Sequence, residues 1–399
     1  MQSFNNVDDA RTHGQIAHVP SFRILLPVLV ALATLGSLHA DPLDHWTQRV
    51  PGTNAHLSAV AYGAGRFVAV GQGGVRLSSS NGTDWAVAPA GLETNFHSVA
   101  HGAGLFVAVG AGGTVHTSAD GVNWVARDSN TTNGLLCVRW AKDRFLASGG
   151  LGTLLSSTNG VDWQAWDSGT PNQLTGIAYG AGMFMVVGRW TSSNSFTVLR
   201  STDGETWSGE SVRYGDFYDL IHHDDRFVGL CLRGFVQVST NGQGWSLGFS
   251  ANYNYALAIT HVHGRFLAVG APDAYSGNQK IVSSPDGLTW KLHPGAFNHS
   301  GTLRGVALGN NTAVAVGDSG LIIQSDSLFR LHAGTTLPGG GREWVLHGEA
   351  GRPYRFQYSS ELNGSWLDLT NFLSTNDVIT LRDPLPPSPT NRFYRVVTP

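Results

Sequence analysis

The sequence repeats one short motif six times, an Asn-Gly or Asp-Gly pair with a tryptophan three residues after the glycine. Successive tryptophans lie 38 to 45 residues apart. Self-similarity at a fixed period of this size means that one supersecondary unit is repeated and that neighbouring copies bury a shared core. The six copies run from Asn81 to Trp85, Asp120 to Trp124, Asn159 to Trp163, Asp203 to Trp207, Asn241 to Trp245 and Asp286 to Trp290.

Each repeat contains four strand-like runs, which in the first copy are residues 57–63, 66–71, 75–80 and 84–88. Four short strands every 40 to 45 residues are typical of one blade of a β-propeller. The Asn-Gly and Asp-Gly pairs predict two-residue hairpins with positive φ at both central positions. The second strands are nearly all apolar, which predicts burial on both faces between stacked blades.

A seventh repeat begins at Leu303 and continues to Ser325, but it lacks a strand with a tryptophan. The missing strand is found near the other end of the chain, where residues 44–48 resemble residues 83–87. We therefore predict an all-β chain that forms a seven-bladed β-propeller over residues 41–327, closed by the N-terminal strand around Trp46. Such closure covers two sheet edges that would otherwise be exposed.

The motif resembles the Asp-box, Ser/Thr-x-Asp-x-Gly-x-Thr-Trp, of sialidases and of seven-bladed photosystem II assembly factors. The resemblance runs from Trp46 to Ser325, and every copy lacks the residue between Asp or Asn and Gly. In that family the box is structural, which agrees with an Asx side chain that satisfies local backbone donors beside a packed indole. The implied structural residues are Asn81, Trp85, Asp120, Trp124, Asn159, Trp163, Asp203, Trp207, Asn241, Trp245, Asp286, Trp290 and Trp46.

The segments on either side of the repeats suggest export and an additional domain. Arg23 precedes an apolar run over residues 24–38, so we predict a signal peptide at 1–40, cleaved before Asp41, with an uncleaved anchor as the alternative. The protein is then secreted, periplasmic or on the cell surface, with no stable membrane insertion after cleavage. Residues 328–399 alternate apolar and polar positions, which predicts a small immunoglobulin- or fibronectin III-like β-sandwich.

The C-terminal segment resembles modules on exported proteins of planctomycete and verrucomicrobial bacteria. That resemblance rests on Ser359 to Leu362, Trp366, Asp383 and the closing run from Phe393 to Val396. It implies a role as spacer, surface attachment or glycan contact.

Charge, cysteine and histidine patterns argue against several functions. The formal net charge is −3 without runs of like charge, so nucleic acid is not an expected partner. Cys137 and Cys231 fall in non-adjacent blades, which predicts two buried thiols and no disulfide. His101, His222 and His261 share a repeat column with Tyr62, Trp140 and Tyr179, so we interpret them as planar packing residues and expect neither a metal nor a cofactor.

We expect the binding site on the face opposite the Asp-boxes, where the connections vary most between repeats and aromatic rings accompany amide and carboxylate groups. Such a surface suits a protein or a glycan, although exposed aromatics could also only cover the blade ends. The candidate ligand-binding residues are Arg189, Trp190, Tyr214, Asp216, Tyr218, Asp219, Tyr253, Tyr255, Asp273, Tyr275, His97 and Arg304.

The main prediction is a monomeric, non-catalytic binding propeller. One alternative is a glycoside hydrolase or polysaccharide lyase of sialidase-like type, whose carboxylates would come from Asp216, Asp219 or Asp273. Sialidases carry a Phe-Arg-Ile-Pro stretch, and its nearest match here, beginning at Phe22, lies in the expected signal peptide. The other alternative is an assembly factor for a membrane protein complex.

Overall fold

This computed structural model describes residues 41–88, 94–189, 198–212, 215–249, 256–272, 280–293, 301–328, 330–337, 342–347, 353–361, 365–373, 378–383 and 392–397. Across these ranges the regular structure is all-β, as predicted, and the helical segments are single 3-10 turns. These turns are Pro42–Asp44, Gln72–Gly74, Ala111–Gly113, Gly150–Gly152, Leu232–Gly234 and Asp318–Gly320. None of the described helices has the length and apolar character needed to cross a membrane.

The strands are numbered in chain order. The first half contains β1 (Trp46–Arg49), β2 (Leu57–Gly63), β3 (Arg66–Gly71), β4 (Arg76–Ser79), β5 (Ala86–Val87), β6 (Phe96–Gly102), β7 (Leu105–Gly110), β8 (Val115–Ser118), β9 (Val125–Arg127), β10 (Leu135–Ala141), β11 (Arg144–Gly149), β12 (Leu154–Ser157), β13 (Gln164–Ala165), β14 (Gln173–Gly180), β15 (Met183–Arg189), β16 (Val198–Ser201) and β17 (Ser208–Glu210). The second half contains β18 (Phe217–His223), β19 (Arg226–Cys231), β20 (Phe235–Ser239), β21 (Ser246–Phe249), β22 (Ala256–Val262), β23 (Arg265–Gly270), β24 (Lys280–Ser284), β25 (Lys291–Leu292), β26 (Leu303–Gly309), β27 (Thr312–Gly317), β28 (Ile322–Ser325), β29 (Arg330–Thr336), β30 (Arg342–His347), β31 (Pro353–Ser359), β32 (Leu367–Leu373), β33 (Val378–Asp383) and β34 (Phe393–Val397).

The repeats fold into separate four-stranded antiparallel sheets, such as β2-β3-β4-β5 and β6-β7-β8-β9. The first strand of each sheet contacts the first strand of the next, in the order β2, β6, β10, β14, β18, β22 and β26, and β26 contacts β2 again. The sheets are therefore arranged in a closed circle around a central channel, which is the architecture of a β-propeller.

The last sheet of the circle combines both ends of the repeat region, because β1 pairs antiparallel with β28 and places Trp46 opposite Ser325. An ionic cluster ties the segment before β1 to a neighbouring sheet, with Asp41 bidentate on Arg265 at 2.6 and 3.1 Å. Burial acts to raise the pKa of Asp41, but the Arg265 guanidinium and the Leu43 N–H outweigh it and hold this pKa well below its usual range. Asp44 Oδ1 in turn lies 2.6 Å from Nδ1 of the buried His293.

The Asn-Gly and Asp-Gly turns differ from the predicted hairpins. Only the glycine is left-handed, as at Gly82 with φ +76°, whereas Asn81 has no positive φ. Side-chain hydrogen bonds hold this turn in place of a primed hairpin. Asn81 Oδ1 accepts the N–H groups of Thr83 and Asp84 at 2.9 Å, and Ser79 Oγ accepts the N–H of Gly82 at 2.8 Å. The prediction of positive φ at both positions was wrong here because Asx and Ser oxygens satisfy the donors that a primed turn would leave open.

Turns with two left-handed residues occur instead between the first and second strands in six of the seven described repeats, and in the third only Lys142 is left-handed. In the first repeat they are Ala64 at φ +46° and Gly65 at φ +73°. The fourth strands are also shorter than predicted, with only Ala86–Val87 in the first sheet, because the side-chain-bonded turn extends almost to the tryptophan.

Hydrophobic packing between adjacent sheets forms the core. The second strands are buried along nearly their whole length, as predicted, and Phe67, Val68, Ala69 and Val70 have no exposed surface. Trp46 is 4% exposed and packs with residues of the last two sheets of the circle, including Val269 and Ile323.

Two three-stranded sheets follow the circle, β29-β30-β33 and β32-β31-β34. Their buried side chains form one cluster that includes Leu346 and Leu381 from the first sheet and Phe356 from the second. Asp383 is 1% exposed and accepts hydrogen bonds from Arg392 at 2.9 Å and Tyr394 at 2.7 Å. The Asp and the closing Phe-Tyr-Arg-Val run singled out in the sequence are therefore joined by a buried polar network.

Candidate binding site at the channel mouth

Each innermost strand of the seven described four-stranded sheets carries a β-bulge near its start, after its first residue in six sheets and after its second, Leu174, in the sheet that begins with β14. Bulges redirect a side chain out of the regular alternation, and they are common beside functional sites. The bulged positions line a recess of about 170 Å³ at one end of the channel, on the face opposite the Asn-Gly and Asp-Gly turns. They are Ser58, His97, Leu136, Thr175, Tyr218, Leu257 and Arg304.

Two of the predicted residues at this mouth are held by hydrogen bonds, His97 to the next sheet and Arg304 within its own sheet. His97 Nδ1 lies 2.9 Å from the Leu135 carbonyl oxygen of the next inner strand. Arg304 donates from Nε to Asp318 Oδ1 at 2.5 Å, and Asp318 Oδ2 also accepts the Thr302 N–H at 3.1 Å. Burial acts to raise the pKa of Asp318, but these two donors outweigh it and lower the pKa to about 2.

An ion pair crosses the channel beneath the recess. Arg139 on β10 donates from Nη2 to Asp219 Oδ1 on β18 at 3.2 Å, and its side chain is 36% exposed whereas that of Asp219 is 9% exposed. Asp219 also accepts the N–H groups of Leu220 at 2.9 Å and Ile259 at 3.1 Å. Burial raises the pKa of the Asp219 carboxyl, and its three donors oppose that rise. Both oxygens of Asp219 therefore accept hydrogen bonds, and three donors hold the carboxylate in place.

Arg189, Tyr218 and Asp216 form a second cluster beside the recess. The Arg189 guanidinium carbon lies 4.9 Å from the centre of the Tyr218 ring, and its Nε lies 3.5 Å from Asp216 Oδ1. Arg189 and Asp216 are half-buried. A cation over a ring with a carboxylate alongside fixes the tyrosine at the edge of the mouth.

The structure brings four of the predicted residues, His97, Tyr218, Asp219 and Arg304, into one recess, with Arg189 and Asp216 adjoining it. The other predicted residues lie outside the described part of the chain, namely Trp190, Tyr214, Tyr253, Tyr255, Asp273 and Tyr275.

Sequence reasoning missed Arg139 and Asp318. A signal for Arg139 existed, because it interrupts a repeat column that holds alanine at Ala61, Ala100, Ala178 and Ala307.

Two clusters in the described ranges could offer metal ligands, one of His223, Asp224 and His261 and one of Asp41, Asp44 and His293. In the first, the rings of His223 and His261 are stacked with centroids 3.1 Å apart, so they are aligned as packed rings. In the second, Arg265 and Lys291 already provide the positive charge beside Asp41.

The two cysteines are free and buried, as predicted. Burial raises the pKa of the Cys137 thiol to about 11 and that of Cys231 well above its usual value, so neither is an activated nucleophile.

The circle of sheets defines the chain as a β-propeller, and solved structures of that fold resemble it. A YCF48 structure with a bound D1 peptide aligns with a TM-score of 0.57 and 15% identity, covering 70% of this chain and 96% of the other. Catalytically inactive virginiamycin B lyase from Staphylococcus aureus with quinupristin aligns with a TM-score of 0.61 and 9% identity, covering 71% and 99%. The WD40 propeller domain of Doa1 aligns with a TM-score of 0.53 and 10% identity, covering 70% and 95%.

No protein-family model matches this sequence, and no curated protein matches it. At these identities the structural likenesses establish the β-propeller fold.

Proposed function

We propose that this chain is a non-catalytic seven-bladed β-propeller that binds a peptide segment of a partner protein at the channel mouth opposite its Asp-boxes. The observation that carries the proposal is the convergence of His97, Tyr218 and Arg304 at the bulged positions of one mouth, where other repeats carry Ser, Leu or Thr. An imidazole, a phenol and a guanidinium together suit a peptide that offers carbonyl and carboxylate oxygens beside an apolar side chain.

The likeness to YCF48 supports a peptide partner, because that propeller was solved with a peptide bound. It also favours an assembly-factor role over a hydrolase, and the three donors on Asp219 agree with that preference. We further propose that residues 1–40 are a signal peptide, that 328–399 form a β-sandwich module, and that the protein acts outside the cytoplasm on a membrane or surface complex.

The ligand class is tested by presenting the purified protein in parallel with a random peptide display library and a glycan array, with product release measured in both. Enrichment of peptides without cleavage supports the proposal. Binding to glycans without product release would indicate a glycan-binding function instead. Release of new reducing ends would establish the glycoside hydrolase or lyase alternative. A protein that selects no peptide contradicts the proposal.

The test variant replaces the mouth residues with those that other repeats carry in the same column. Its changes are His97→Leu, Tyr218→Thr and Arg304→Ser. Since Leu136, Thr175 and Ser58 occupy these positions in intact sheets, the triple variant should fold. We expect selected peptides to bind it at least about tenfold more weakly.

A further inference from the structure

A second and larger recess opens at the opposite end of the channel, on the face of the Asn-Gly and Asp-Gly turns. It measures about 510 Å³ and is lined by planar side chains at the ends of the innermost strands together with small residues. Cavities of about 300 to 1,000 Å³ with largely apolar walls and a few polar groups are the usual size and character of small-molecule sites.

The planar side chains of this recess are fixed by packing on both sides. The His101 ring lies 4.7 Å from the ring of Phe106 in its own sheet, and Trp140 is 4.7 Å from Phe145 in the same way. On the other side the rings of Tyr62, His101, Trp140 and His222 each cover a glycine of the preceding sheet. A Cβ built on Gly63 would lie only 2.0 Å from His101 Cγ. Walls held in this way lose little conformational entropy when a ligand enters.

The charged groups of the recess are cationic. Arg139 lies at its inner end, and Lys142 has its Nζ 5.9 Å from the centre of the Tyr179 ring. No Asp or Glu is among the described residues that line it. Burial lowers the pKa of His101 and of His222, so both imidazoles are neutral at pH 7 and add no further charge.

Arg139 lines this recess and has N–H donors beyond those used in its hydrogen bonds to Val138 and Asp219. It uses Nη1 for the Val138 carbonyl at 3.1 Å and Nη2 for Asp219 at 3.2 Å. A guanidinium carries five N–H donors, and 36% of this side chain is exposed in the channel. Arg139 lines the smaller recess together with Asp219, whereas in the larger recess it stands beside aromatic walls and no carboxylate of the described lining residues.

We propose that this recess is a binding site for a small organic anion with a flat apolar body, such as an aromatic carboxylate. The carboxylate accepts hydrogen bonds from Arg139, the ring lies among the planar side chains, and Lys142 attracts the anion at the entrance. This recess opens at the opposite end of the channel from the proposed peptide site, and the two recesses share Arg139 as a lining residue. Anion binding is inferred independently of peptide binding.

The test measures, by calorimetry, binding of 1-naphthoate, of its neutral amide and of acetate to the protein from Asp41 to Pro399. We expect the acid to bind at least about tenfold more tightly than the amide, because only the acid pairs with Arg139, and acetate to bind undetectably for want of an apolar body. Equal binding of acid and amide, or no binding of either, would overturn the proposal.

Variants locate the site. Arg139→Met combined with Asp219→Asn removes both charges of the pair, so neither is left unpartnered, and it should abolish the preference for the acid. Lys142→Gln, at an exposed position, should weaken binding of the acid about twofold and leave binding of the amide unchanged. Arg304→Ser at the other mouth is the matched control and should change the affinity for neither the acid nor the amide. If the paired variant does not fold, an unaltered preference for the acid in Lys142→Gln at low salt refutes the assignment.

Discussion

Trp46→Ala tests whether the strand from the start of the described chain stabilises the whole ring. The indole is 4% exposed, packs against residues of the last two sheets, and donates from Nε1 to the Leu43 carbonyl oxygen at 2.8 Å. Truncating a buried tryptophan costs about 3 to 5 kcal/mol. The buried Leu43 oxygen also loses its donor, for about 1 kcal/mol more. We expect the free energy of unfolding to fall by about 5 kcal/mol, which corresponds to a melting temperature lower by about 7 °C.

The assay is denaturant unfolding followed by tryptophan fluorescence and, separately, by circular dichroism. Val50→Ala is the control, because Val50 lies just after β1 and is 84% exposed, so it should change stability by less than about 0.5 kcal/mol. Limited proteolysis should cleave Trp46→Ala near β1 faster than it cleaves the control. If Trp46→Ala is within about 1 kcal/mol of Val50→Ala, the strand does not stabilise the ring and the argument for closure fails.

Three further predictions follow from individual contacts. Asp219→Ala leaves the Leu220 and Ile259 N–H groups and the Arg139 guanidinium without their acceptor, so thermal unfolding should show a loss of about 3 kcal/mol, with a smaller loss in Arg139→Met/Asp219→Asn. The Asp318 pKa of about 2 lies below its unfolded value of 3.8, so the stability it contributes is complete above about pH 4 and is lost as the pH falls towards 2. Asp318→Asn should therefore flatten the acid limb of a stability profile by about 1 kcal/mol, and an unchanged limb would contradict this pairing. Gly65→Ala should cost about 1 kcal/mol for its φ of +73° alone, whereas Gly121→Ala should cost about 1 to 3 kcal/mol more because its Cβ would lie 2.6 Å from Val68 Cγ2; equal melting temperatures would show that the sheets yield at Gly121.

The repeat columns made the fold and part of the site predictable. Once the copies are aligned, a position that departs from its column stands out, and this identified His97, Tyr218, Asp219 and Arg304 before their convergence in one recess was known. The same comparison would have found Arg139, which replaces alanine. Contact partners cannot be read in this way, because Asp219 meets Arg139 across the channel from a sheet two positions away.

Turn geometry was the less predictable part. An Asn-Gly pair usually indicates a primed hairpin, but Ser79 and Asn81 together satisfy the same backbone donors with side-chain oxygens. Conversely, Ala64 carries no sequence signal for a left-handed conformation, yet it adopts φ +46° because its two flanking strands impose the hairpin. Propensity is overridden where two paired strands of one sheet fix both ends of a turn.

The location of partner binding is the central claim, and it is tested most directly by the affinity of one selected peptide for three proteins. Arg304→Ser removes a cation from the mouth opposite the repeat turns, and Lys142→Gln removes one from the other end of the channel. We predict that Arg304→Ser weakens peptide binding at least about tenfold. The affinity of Lys142→Gln for the same peptide should stay within about twofold of that of the unaltered protein. The reverse order, or equal affinities for all three proteins, would contradict the assignment of partner binding to this mouth.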